Sequence, residues 1–245
     1  MDIREVEEHV KYRIANTPVR EYPFPHFFVE NVFPDAYYRQ ILERWPALEY
    51  FRAISDGGRV TGGAYKDRHV LALLQLDQQD AAWEARRFWQ EFSAWFCGPT
   101  FLQFLVKQYQ PWIVRGRQLP AQISVQADGL LVQDHTNYAI GPHTDAPHRL
   151  VSTLFYCPAD DSQRHLGTSV YVPKGDDVPR VISGQHYTPE RFTPAATMPF
   201  LPNTMFGFVV GPSSFHGVEA IRDENVRRNL ILHFAKLMEV APGPG

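Results

Sequence analysis

Cysteine is scarce: Cys97 and Cys157 are the only two among 245 residues. Two thiols cannot build a disulfide framework or a four-thiolate metal site. Cys97 sits in a helix-like aromatic run and Cys157 ends a strand-like one, so both read as buried thiols. No apolar run approaches the ~20 residues that span a bilayer. The N-terminus, Met1-Asp2-Ile3-Arg4-Glu5-Val6-Glu7-Glu8, is acidic and lacks the apolar segment of a signal peptide. Excess charge of either sign is missing as well. With 24 basic and 27 acidic residues the net charge is -3, which removes the basic face that phosphate-backbone binding requires. There is no internal repeat and no low-complexity tract. These absences leave the expectation of a soluble, cytoplasmic protein with neither nucleic acid nor membrane as a partner, its oligomeric state unread.

A hydrophobic fraction of 44% over this length fits one large domain. Residues 1–109 read as a helical support region and 110–240 as a strand-rich core. Ile3, Val6, Val10 and Ile14 recur at helical spacing. Pro23 to Val32, rich in proline and aromatics, suits a short extended piece at a sheet edge. Ala36 to Trp45 reads as a helix between Pro34 and Pro46. Phe51 to Lys66, with Gly57, Gly58, Gly62 and Gly63, is a loop by composition, either plain surface or a lid. Between Gln78 and Tyr109, Trp83, Phe88, Trp89, Phe92, Trp95, Phe96, Phe101, Phe104 and Leu105 mark two helices broken at Gly98-Pro99, their apolar stripe packed on something flat.

After Gln110 the period changes to that of strands. Ala121 to Gln126 alternates, Ala127-Asp128-Gly129 reads as a turn, and Leu130 to Asp134 resumes. Leu150 to Cys157, Thr168 to Val172, Thr204 to Val210 and Asn229 to Ala235 are further runs of branched and aromatic residues. Lys174 to Pro202 has weak periodicity and reads as a long loop over a barrel mouth. Helices first and short strands after give a mainly β fold, a jelly roll packed against helices.

Gly141-Pro142-His143-Thr144-Asp145-Ala146-Pro147 holds the chemistry. Two residues apart in extended backbone, His143 and Asp145 point the same way. Ser213-Ser214-Phe215-His216-Gly217-Val218 offers a second imidazole farther on. Two His and one carboxylate make the facial set that holds Fe(II) while leaving positions open. A closed zinc site needs one more ligand, which His135 or His148 could supply, so zinc stays open at this point.

His143-Thr144-Asp145, then His216, then Arg228 before a terminal strand resembles the Fe(II)- and 2-oxoglutarate-dependent dioxygenases, most of all their prolyl-hydroxylase-like branch. The resemblance covers Gln122 to Phe234. It implies a double-stranded β-helix, with His143, Asp145 and His216 on Fe(II), and 2-oxoglutarate and O2 as co-substrates. It also implies hydroxylation of an unactivated C–H bond, with succinate and CO2 as co-products. A dicarboxylate that chelates iron at one end needs a cation at the other, and arginine offers a planar fork. Arg228 shares its face with Leu230, Leu232 and Phe234, while the rival Arg227 shares one with Asn229, Ile231 and His233, so Arg228 is expected to point inward. The family often places a tyrosine at the end of the strand after the His-Asp motif, which falls on Tyr156, and a further polar contact where Gln133 stands. In halogenating relatives a small uncharged residue replaces the aspartate, so Asp145 argues against halogenation.

The substrate is not legible. Arg52, Arg59, Tyr65, Arg68 and Arg149 would suit an acidic or amino-acid-like small molecule, and Asn137 and Tyr138 either face substrate or shape a turn. Desaturation, cyclisation and demethylation start from the same oxidant. The alternative in another class is a non-enzymatic or isomerase-type cupin-like metal-binding jelly roll.

Overall fold

The computed structural model describes residues 2–57, 65–79, 83–120 and 122–238. Helix α1 (Ile3–Ala15) starts where the Asp2 carboxylate accepts from the Arg4 amide at 3.0 Å. Its buried stripe is Val6, Val10 and Ile14. Strand β1 (His26–Glu30) and helix α2 (Asp35–Glu43) follow, then the short strands β2 (Arg52–Ala53) and β3 (Arg68–Ala72). Helices α3 (Arg86–Phe96) and α4 (Pro99–Gly116) are separated at Gly98, where a Cβ would stand 2.5 Å from the Ala94 carbonyl oxygen. Pro99 opens α4, where its missing N–H costs nothing. Among the described residues no helix is long and apolar enough to cross a membrane.

Eight strands complete the chain: β4 (Val125–His135), β5 (Ile140–His143), β6 (Arg149–Tyr156), β7 (Thr168–Pro173), β8 (Phe192–Met198), β9 (Thr204–Val209), β10 (His216–Val218) and β11 (Arg227–Leu237). One sheet runs β1-β9-β6-β11-β4-β3-β2 and the other β5-β10-β7-β8. From β4 onward the chain crosses between sheets at every connection except the β7–β8 hairpin, which is the eight-stranded jelly roll. The N-terminal region thus adds three strands to the larger sheet, with β1 at one edge as its prolines suggested and β2 at the other.

The α3–α4 stripe packs on the outer face of the larger sheet. Phe96 meets Phe155 and His233 with ring centroids 5.2 and 5.1 Å away, and Phe27 stacks on Tyr109 at 4.3 Å. The turn expected at Ala127-Asp128-Gly129 is absent, since β4 runs straight through it. Gly129 is there for packing: a Cβ would lie 2.5 Å from Cys97 Sγ and 2.9 Å from Leu73 Cδ1. The 174–202 segment is not all loop either, because β8 pairs with β7 within it. Of the loop expected at 51–66, residues 58–64 lie outside the described residues, as does the tail from 239. Cys97 and Cys157 are free thiols.

Candidate metal centre

The pairing of β5 with β10 sets His143 directly opposite His216. Gly217 permits this closeness, for a Cβ there would sit 2.5 Å from the Ile140 carbonyl oxygen. The two imidazole centroids are 4.3 Å apart, and Asp145 Oδ1 is 4.0 Å from His216 Nε2. Ligand atoms of His143, Asp145 and His216 all lie within 4.8 Å of one another, and all three residues are buried. Neither His135 nor His148 joins them, so the set remains at three among the described residues.

Each group is prepared for a cation. His143 Nδ1 is 2.9 Å from the Gly141 carbonyl and His216 Nδ1 is 2.9 Å from the Ser214 carbonyl. A carbonyl only accepts, so both Nδ1 atoms carry the proton and both Nε2 lone pairs are free. Burial, reinforced by His216 and His186, holds the His143 imidazolium well below its ordinary range, and burial lowers His216 too. Neutral imidazole is the form that binds metal. At Asp145 burial acts to raise the carboxyl, but Arg149, His216, His143 and Ser152 outweigh it and keep it ionised. Arg149 donates to Asp145 Oδ1 at 2.7 Å, and the Ser152 hydroxyl donates to Oδ2.

These residues open on a cavity of about 520 Å³. Its wall includes Tyr138, Ile140, Leu154, Phe208, Leu232 and Phe234, with Arg68, Arg149 and Thr168 as polar members. Arg149 lies over Phe234, its guanidinium carbon 3.6 Å from the ring centre. His186 stacks on His143 at 4.4 Å and is hydrogen-bonded to the Tyr65 hydroxyl. Thr144 fastens the segment that carries His186, accepting from Ser183 N at 3.1 Å and donating to the Val181 carbonyl at 3.3 Å. Nothing in the local sequence marks His186, because only the path of the 174–188 segment brings it there.

At the far end of the barrel Arg228 faces inward and is fully buried, whereas Arg227 is exposed. Arg228 donates to Leu166 O at 2.7 Å, to Asp134 Oδ2 at 2.7 Å and to Thr168 Oγ1 at 3.3 Å. Asp134 also takes a bidentate pair from Arg68, at 2.6 and 2.8 Å. Two guanidiniums on one carboxylate leave one positive charge uncompensated. Tyr156 donates to Thr168 Oγ1 at 2.8 Å. Both lone pairs of that hydroxyl are then used, so its proton is left for an acceptor in the cavity it lines. Arg228 and Tyr156 therefore meet the cavity through Thr168 and do not line it themselves, and no local sequence signal marks Thr168 or Asp134.

Gln133 is not brought to the cavity. Asp134 takes the inner face of β4, so its neighbour Gln133 faces outward, its amide 3.5 Å from the Pro46 carbonyl. Asn137 has φ 75° and shapes the turn before β5, while Tyr138 is buried under Arg68, whose guanidinium carbon lies 4.2 Å from its ring centre.

No protein-family description matches the sequence, and no curated protein matches it. Among solved structures, the chain resembles an oxidoreductase of the 2OG-Fe(II) oxygenase family from Burkholderia pseudomallei at 10% identity and TM-score 0.46, covering 96% of this chain and 90% of that one. It resembles a prolyl-4-hydroxylase from Pseudomonas putida at 12% identity and TM-score 0.49, covering 94% and 98%. It also resembles a prolyl hydroxylase from Trichoplax adhaerens, solved with a hypoxia inducible factor peptide fragment, at 12% identity and TM-score 0.48, covering 96% and 90%.

Proposed function

We propose that this protein is an Fe(II)- and 2-oxoglutarate-dependent dioxygenase that hydroxylates an unactivated C–H bond of a small molecule. The observation that carries the reading is the His143–Asp145–His216 cluster. It offers two neutral imidazoles with free Nε2 atoms and one ionised carboxylate, on one side of a cavity. That is a three-ligand donor set of N and O with no thiolate, the type that suits Fe(II). Bound there with 2-oxoglutarate and O2, Fe(II) supplies an oxidant able to break a C–H bond, with succinate and CO2 as co-products.

The remaining work falls to the chain. Arg149 and Ser152 hold Asp145 in one orientation, and the Gly141 and Ser214 carbonyls hold the two rings. The uncompensated charge of Arg68–Asp134–Arg228, delivered through the Thr168 hydroxyl, suits the far carboxylate of the oxoacid. Leu154, Leu232, Phe208 and Phe234 exclude water around the reacting centre. A cavity of about 520 Å³ has room for the oxoacid and a small partner. Two free thiols agree with a reducing, cytoplasmic location.

The test is formation of succinate from 2-oxoglutarate that depends on both Fe(II) and O2. Iron bound in one equivalent with no oxoacid consumption, under any substrate tried, would leave a metal-binding jelly roll in place of an oxygenase.

A further inference from the structure

The outer face of the larger sheet carries a second polar group that the proposed chemistry does not use. The register of β3, β4 and β11 sets His69 opposite Gln133, and Gln133 opposite Asn229. His135 follows two residues along β4 on the same face. Its ring meets that of His69 edge to face, with centroids 5.0 Å apart. Four buried atoms on this face, His69 Nδ1, Gln133 Oε1, His135 Nε2 and Asn229 Oδ1, have no hydrogen-bond partner among the described residues. Other buried side-chain atoms of the described residues also have no such partner, but these four stand together on adjoining cross-strand positions.

The chemistry of the four narrows what could partner them. The Gln133 amide nitrogen is 3.5 Å from the Pro46 carbonyl, and its amide oxygen, which only accepts, is left without a partner among the described residues. Gln133 itself is 2% exposed. Each imidazole can present a lone pair. What would satisfy imidazole nitrogen and amide oxygen together is a single electrophilic centre. We propose that this face is a second metal site, in which His69 Nδ1, His135 Nε2 and the Gln133 amide oxygen hold a divalent late-transition ion of the zinc, cobalt or nickel type. Imidazole nitrogen favours these ions. Without thiolate or carboxylate among its donors, the site holds them less tightly than a cysteine-rich site does. An ion there ties β3 to β4. The residue before His69, Arg68, forms part of the cavity wall, so the ion braces that wall from behind.

Cobalt(II) is the probe. Chelator-stripped full-length protein should bind two equivalents per chain. The Asp145→Ala variant should keep one, and the pair His69→Gln with His135→Gln should keep the other. The single change His69→Gln, at a partly buried position, should weaken that second equivalent by at least ~10-fold, which serves if the double variant does not fold. Thermal unfolding of the Asp145→Ala protein should move upward with cobalt(II) and stop doing so once His135 is replaced. A single equivalent in the wild type, lost with Asp145→Ala, overturns the proposal and leaves ordered water as the partner of the four atoms. A second equivalent indifferent to both histidines overturns it equally. Neither result touches the oxygenase reading, which rests on the other face.

Discussion

The two faces of the larger sheet are made from the same strands and follow opposite rules. On the inner face, alternate residues of β4, β6 and β11 present Asp134, Ser152, Tyr156 and Arg228, each with a named polar partner. On the outer face, between them, Phe155 and His233 meet Phe96 of α3, Leu131 belongs to the same core cluster, and Gly129 lies against Cys97 and Leu73. Histidine shows the contrast most clearly. His143 and His216, on the smaller sheet across the cavity from that inner face, are neutral and aim a lone pair inward. His233 is neutral because it is wedged edge-on against Phe96 and Phe101, at 5.1 and 5.3 Å. Burial alone does not make a site: carbonyls hold the Nδ1 atoms of His143 and His216 and leave their Nε2 atoms to the cavity, whereas His233 is enclosed by two aromatic rings.

The sharpest break of this comparison is Asp145→Ala. It removes the one anionic donor of the three, and iron affinity should fall by more than the 10–100-fold typical of losing an outer-shell partner. Iron-dependent succinate formation should vanish, and retention of full activity would refute the ligand assignment. Arg228→Ala comes next. It removes a fully buried guanidinium that bonds Asp134 and Leu166 O while Arg68 keeps Asp134 paired, so the cost in denaturant unfolding should be about 1.5–3 kcal/mol, that of a lost hydrogen bond to a charged group. It should also raise the oxoglutarate requirement. Arg227→Ala, on the exposed side, should change stability by less than about 0.5 kcal/mol. The reverse ranking would mean that β11 is displaced by one residue.

Two further changes probe the outer face. Burial lowers the His233 pKa to about 4, with Asp128 and the Phe96 backbone opposing only in part. The unfolded chain, near the ordinary 6.5, therefore binds more protons than the folded one between those values, and stability rises with pH across that window. The gain should be about 3 kcal/mol from pH 4 to 6.5. His233→Leu should flatten that part of the pH–stability curve, and an unchanged slope would assign it elsewhere. Gly129→Ala forces a methyl against Cys97 and Leu73 and should lower stability by about 1–3 kcal/mol without altering metal affinity.

The pattern of the chain carried the jelly roll, the two helices divided at Gly98-Pro99 and the edge strand near His26, because period and proline placement are local properties. It misread Ala127-Asp128-Gly129, where glycine answers to the sulfur of Cys97 and not to a turn. It also turned Gln133 toward the oxoacid, although a residue next to inward-facing Asp134 must face out. Thr168 and His186 carried no signal, as one is an ordinary strand threonine and the other sits in a segment of weak periodicity.

By itself the sequence determined the donor types, their order and the alternation that sends Arg228 inward and Arg227 outward, since residue chemistry and a two-residue period need no tertiary information. Only the folded chain decided that His143 stands opposite His216 and that Arg228 and Tyr156 are bonded to Thr168 and do not line the cavity themselves. The same holds for the single carboxylate shared by Arg68 and Arg228. Each of these depends on which strands become neighbours, and that is set by how the two sheets close around a common interior.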